Sequence, residues 1–190
     1  RQYALKALDL DPDLAEAHAS LGMVLMRNGD PPGARAEYQK AVSLQPGYAT
    51  GQMWLGVLWL GQGDATRAAQ SFAIALQLDP LNPAVQVNYL SSLIALGNLD
   101  RAREEGQRLL TLSPNEKLQK ILWHVSLERG SYDEVLALVE ANLNNGGQYI
   151  EETHYWKGKA LTSDGQIAEA TAAFRQALVH NPRYAAAQSA

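Results

Sequence analysis

The side chains best equipped for chemistry are four histidines, His18, His124, His154 and His180, and paired carboxylates such as Glu104-Glu105 and Glu151-Glu152. Imidazoles could ligate a metal or move protons, and neighbouring carboxylates could share acid and base work. Their spacing supports neither role. No His-Glu-x-x-His run, phosphate loop or nucleophile elbow occurs, and Gly61-Gln62-Gly63 reads as a turn rather than a nucleotide fingerprint. Adjacent glutamates of this kind are most simply solvated helix faces. With no cysteine there is no thiolate nucleophile, no disulfide frame and no Cys-ligated zinc. The sequence therefore predicts no catalytic residue, no metal and no cofactor. Cysteine usage cannot fix the compartment either; cytoplasm and periplasm both stay open, with the cytoplasm the first choice.

The elements that carry these residues must come from a folded chain, since 46% of its 190 residues are hydrophobic and only 19% are charged. A net charge of −4 lacks the basic excess that phosphate neutralisation requires, so nucleic acid is not an expected ligand. The longest strongly apolar stretch, Met53 to Gly61, is about half of the roughly 20 residues that span a bilayer, and no direct membrane insertion is expected. The opening RQYALKALDLDP reads as the end of a helix, and the expectation is a piece of a longer protein.

Organisation is legible in the punctuation. Prolines fall at 12, 46, 80, 114 and 182, spaced 34, 34, 34 and 68 residues. Glycines that follow a helical stretch fall at 29, 63, 97, 130 and 165, spaced 34, 34, 33 and 35. Each unit reads as two amphipathic helices, the first ended by a Gly turn and the second by a Pro. Counting Ala15 as position one, the first unit has Leu21, Gly22, Ala34, Tyr38, Ala41 and Pro46 at positions seven, eight, twenty, twenty-four, twenty-seven and thirty-two. The second repeats them as Leu55, Gly56, Ala68, Phe72, Ala75 and Pro80, and the fifth has Gly158, Ala170, Phe174, Ala177 and Pro182. These positions, over nearly the whole chain, resemble the tetratricopeptide repeat family. The resemblance implies an all-α fold, a right-handed α-solenoid of stacked antiparallel helical hairpins. Its expected parts are a second helix of a truncated repeat at 1–14, repeats at 15–48, 49–82 and 83–115, a divergent fourth at 116–150, a fifth at 151–184, and the start of a further helix at 185–190. Small residues at eight, twenty and twenty-seven would let paired helices approach, and stacking would bury what one hairpin cannot. The four histidines are expected in different repeats. His18 and His154 share position four but stand four repeats apart, and helices packed about 8–10 Å from one another would hold them too far apart to share a metal.

Two units break the pattern. The third carries Leu90 for Gly, Gly106 for an aromatic and Leu109 for Ala, as if volume had been exchanged between neighbours. The fourth carries Trp123 at or beside position eight, Val135 at twenty, Asn142 near twenty-seven and Gln148 where the proline should stand. The phase shift of Gly130 and its recovery by Gly165 place a lost residue before Gly130 and a gained one around Asn144-Asn145-Gly146-Gly147, the junction expected to be most mobile. The plain reading is drift in a tolerant repeat; the sharper one is a bend exposing a site around Trp123 and His124.

The resemblance further implies that positions two, five, six, nine, twelve and thirteen of each first helix line a concave groove. In the first three repeats the binding candidates are Met23, Met53, Trp54, Val57, Leu60, Val87, Asn88, Ser91 and Ile94, an apolar and Met-rich set. A carboxylate clamp of Lys, Asn and Arg is not matched, because only Asn88 and Lys117 fit. Trp59 belongs to the core, since it fills the family's aromatic position eleven. In the fifth repeat Tyr155, Trp156 and Lys159 offer a more polar contact region. The expected role is a non-catalytic protein-protein interaction module or scaffold that takes a partner protein or peptide, an amphipathic helix by preference. The alternatives are a self-association domain forming a homodimer, or a regulatory or sensory region of a larger bacterial enzyme or transcriptional regulator.

Overall fold

A computed structural model describes residues 2–144, 146 and 149–189. Among them the regular elements are all α-helices: α1 Gln2–Leu10, α2 Ala15–Arg27, α3 Pro31–Leu44, α4 Ala49–Gly61, α5 Ala65–Leu78, α6 Pro83–Ala95, α7 Leu99–Leu112, α8 Glu116–Glu128, α9 Tyr132–Asn144, α10 Ile150–Ser163, α11 Ile167–His180 and α12 Ala185–Gln188. None is long and apolar enough to cross a membrane. The chain divides into two compact units, residues 1–118 and 119–190, with the boundary inside α8. The repeat punctuation gives no sign of that division.

Each hairpin turn is closed by backbone alone. After the first helix, an amide reaches back five residues, as in Asp30 N to Leu25 O at 2.9 Å, Asp64 N to Trp59 O at 2.9 Å and Gln166 N to Leu161 O at 2.9 Å. The geometry needs a left-handed residue just before that amide, which is why Gly29 has φ 79° and Gly63 has φ 77°. The next residue starts the second helix: the Asp30 carboxylate accepts from Gly33 N and the Asp64 carboxylate from Arg67 N, both at 2.9 Å, satisfying amides with no partner inside the helix.

A second tie is made at three of the junctions between hairpins. There position four donates to the carbonyl of the proline six residues before it: His18 Nε2 to Pro12 O at 2.9 Å, Gln86 Nε2 to Pro80 O at 2.8 Å and Gln188 Nε2 to Pro182 O at 2.7 Å. His18 also sets Nδ1 2.7 Å from the Glu37 carboxylate on α3.

Within a hairpin, large and small residues alternate across the interface. In unit 1 the fully buried Tyr38 and Phe72 lie against Gly22 and Gly56, where an added Cβ would stand 2.6 Å and 2.8 Å from the rings. Phe174 lies against Gly158 in the same way in unit 2. The third and fourth repeats invert the pairing. Leu90 is buried on α6 with Gly106 buried on α7, and Trp123 shares a core cluster with Val139. At the other irregular position Asn142 is held by hydrogen bonds, donating to Gln119 Oε1 at 3.2 Å and accepting from Thr153 Oγ1 at 3.0 Å. Trp59 is buried as expected, with the Arg67 guanidinium 3.7 Å above its ring.

Candidate binding faces

In unit 1 the first helices α2, α4 and α6 carry the candidates Met23, Met53, Trp54, Val57, Leu60, Val87, Asn88, Ser91 and Ile94, and every one of them is half-buried. Heptad-like spacing puts each set on one stripe of its helix while Leu21, Leu55, Leu58, Leu90 and Leu93 turn into the core. Between α2 and α4 a cleft of about 290 Å³ is walled by Met23, Met26, Arg27, Tyr38, Trp54, Val57 and Leu58. It gathers three of the candidates, Met23, Trp54 and Val57. Met53, Leu60, Val87, Asn88, Ser91 and Ile94 are not among its walls. The Ser91 hydroxyl donates to the Val87 carbonyl at 2.9 Å, so its polarity is used within α6.

In the sequence Tyr38 stands out only as a signature position of the repeat, with no part in the face. It is 1% exposed, and burial pushes its phenol above the ordinary range, so the ring acts as an uncharged wall of the cleft. The signal was present at position eight: Gly22 thins α2 where it crosses the ring.

In unit 2 the corresponding face is filled by rings. Trp156 lies 6.3 Å from Trp123, 6.1 Å from His124 and 6.2 Å from Tyr155. Tyr155 in turn meets Phe174 at 5.9 Å and Tyr184 at 5.6 Å. The Lys159 ammonium sits 5.9 Å from the Tyr155 ring and 5.4 Å from that of Trp156, a cation held over two π faces. Tyr184 is pushed up to about 12, chiefly by burial and then by Glu152. Trp123 is 2% exposed and His124 half-buried, so the indole itself offers no open surface. Of the glycine-rich junction, Gly146 has the expected positive φ, 65°, while Asn145, Gly147 and Gln148 lie outside the described residues. Tyr149 also has a positive φ, 63°, unusual for a residue with a Cβ; the Lys120 ammonium sits 4.6 Å from its ring.

The histidines require a correction. His154 and His180, expected in different repeats, stack with centroids 5.6 Å apart and planes 10° from parallel. Residue 154 is near the start of α10 and 180 ends α11, and a hairpin brings such ends together. Burial, then His180 and Lys157, hold the His154 imidazole below its usual range. His154 also lines a cleft of about 480 Å³ between α9, α10 and α11, with Leu136, Leu161, Glu140 and Lys157 among its walls. Lys157 Nζ donates to Glu140 Oε1 at 3.1 Å there. Among the described residues no group of three or more His, Cys, Asp or Glu side chains could hold a metal.

Three solved structures match this chain end to end in fold. One is described as YrrB, a TPR protein with an unusual peptide-binding site: TM-score 0.75, 19% identity, covering 98% of this chain and 96% of that one. MamA gives a TM-score of 0.77 at 19% identity over 92% and 95% of the two chains. PilF of Pseudomonas aeruginosa gives 0.71 at 22% identity over 98% and 85%. Such identities carry the fold alone, the stacked-hairpin solenoid expected from the sequence. No curated protein matches the chain in sequence. Models of the tetratricopeptide repeat match residues 1–49 and 20–83, residues 60–122 and residues 151–179. With helical hairpins throughout and the signature residues packed as small against large, the chain belongs to the tetratricopeptide repeat family.

Proposed function

We propose that this chain is a non-catalytic binding module whose first helices hold an amphipathic segment of a partner protein on the apolar face of unit 1. The units of the array are those read from the 34-residue period, and α2, α4 and α6 carry the face. One observation supports the reading most: the cleft of about 290 Å³ between α2 and α4, walled by Met23, Met26, Trp54 and Val57. A slot of that kind takes one large apolar side chain, and seating it removes apolar surface from water on both partners, worth about 1.5–3 kcal/mol for a fully buried side chain. Two methionines and a tryptophan suit an adaptable surface, because the thioether side chains repack around different anchors. The likeness to a structure described as having a peptide-binding site agrees with this use of the fold.

The test is a displayed library of random peptides, each long enough for about four helical turns. Panning on the purified chain should enrich apolar residues at three- and four-residue spacing, and Trp54→Glu should weaken the selected peptides about tenfold or more. Light scattering on the wild type and on Met53→Glu with Trp54→Glu covers the rival. A wild-type dimer that the double change dissociates would assign the face to self-association and overturn the proposal.

A further inference from the structure

Arg27 is the arginine of unit 1 that lines the cleft between α2 and α4. In unit 1, Arg67 is held by the Asp64 carboxylate at 2.6 Å and Arg108 by Glu105 at 2.8 Å. Among the described residues no carboxylate pairs with Arg27, although it is the single charged wall of the cleft between α2 and α4. The nearest acid in sequence, Asp30, is engaged in capping α3 through Gly33 N. Glu16, on the same stripe of α2, is eleven residues back, about 16 Å along a helix. The last turn of α2 suits any cation through the helix dipole, but that role uses none of the five guanidinium donors. An exposed arginine among the walls of an otherwise apolar slot, which Trp54 and Tyr38 also line, is suited to a planar, two-pronged partner.

We propose that Arg27 sets the specificity of this groove by donating to a side-chain carboxylate that the partner carries within one helical turn of the apolar residue seated in the cleft. The proposal rests on the groove reading above and adds the partner's chemistry: an acidic amphipathic segment of another protein. The exposed rim position makes the charge pair a selector of partners as much as a source of affinity, because a lysine or arginine at the same offset would meet like charge.

The probe is the same displayed peptide library, panned in parallel on the wild type and on Arg27→Glu. Peptides selected by the wild type should carry Asp or Glu within a turn of their apolar anchor, and those selected by Arg27→Glu should carry Lys or Arg at that offset. Exchanging the two sets should cost each about tenfold in affinity. Arg27→Gln, with helicity checked by circular dichroism, serves as the milder variant and should lose the acidic preference without acquiring a basic one. Selected peptides with no charge preference, or equal binding of the wild-type set by Arg27→Glu, would overturn the role of Arg27 and leave the groove standing. Selected peptides that Trp54→Glu does not weaken would overturn both.

Discussion

The α2–α4 face of unit 1 and the α8–α10 face of unit 2 use the same helix register for opposite purposes. On α2, Gly22 leaves the first helix thin, Tyr38 comes up behind it, and a cleft remains in front. On α8 the equivalent position holds Trp123, whose indole packs into the core beside Val139 and meets Trp156, so that the space is occupied by the protein's own rings. Where a hairpin places its bulk decides whether its first-helix face has room for a foreign side chain. The large residue may come from either helix without harm to the interior, since packing senses total volume. The outer face is not indifferent.

The strongest way to break this comparison is Trp123→Ala, which empties the largest fully buried side chain of unit 2 and should cost about 3–5 kcal/mol in urea denaturation. Adding Val139→Phe tests the exchange directly: if bulk can be moved across the hairpin, the double variant recovers a large part of that loss, and no recovery would show that the pairing is fixed by more than volume. Position four gives a smaller contrast. His18→Ala removes the contacts to Pro12 and Glu37 and should cost about 1–3 kcal/mol, whereas His18→Gln keeps the bond to the proline carbonyl, as Gln86 and Gln188 do, and should cost visibly less. The smallest effect is expected at His154, which stacks on His180. Its folded pKa lies below the ordinary imidazole value of 6.5, so the folded state binds fewer protons there; its contribution is intact above that pH and is lost as pH falls through the range below it. His154→Phe should therefore flatten the decline in stability between roughly pH 7 and 5, followed by thermal melts. Lys157 and His180 oppose protonation of the ring, and Glu140 and Glu169, on the same cleft, favour it.

The fold was legible because its signals are local. Gly29 and Gly63 must adopt positive φ, and Pro46 and Pro80 stop a helix, whatever lies around them. The candidate face was legible in outline for the same reason, as a stripe of half-buried positions. What escaped the sequence depends on contacts across the hairpin: Tyr38 is core by position and cleft wall by geometry, and His154 meets His180 because α10 and α11 run back along each other. The burial of Trp123 was hidden likewise, since its type suits a site and only the small Val139 opposite makes room for it inside.

The bond from position four to the proline carbonyl has a consequence for how such arrays change length. Each spans only six residues, His18 to Pro12, Gln86 to Pro80 and Gln188 to Pro182, so both ends of the joint travel together in any 34-residue stretch that contains it. A duplication or excision of one period copies or removes its fastening whole and strands no partner elsewhere. Gene-level repetition is thereby mechanically permitted, and a new unit arrives already fitted to the one before it.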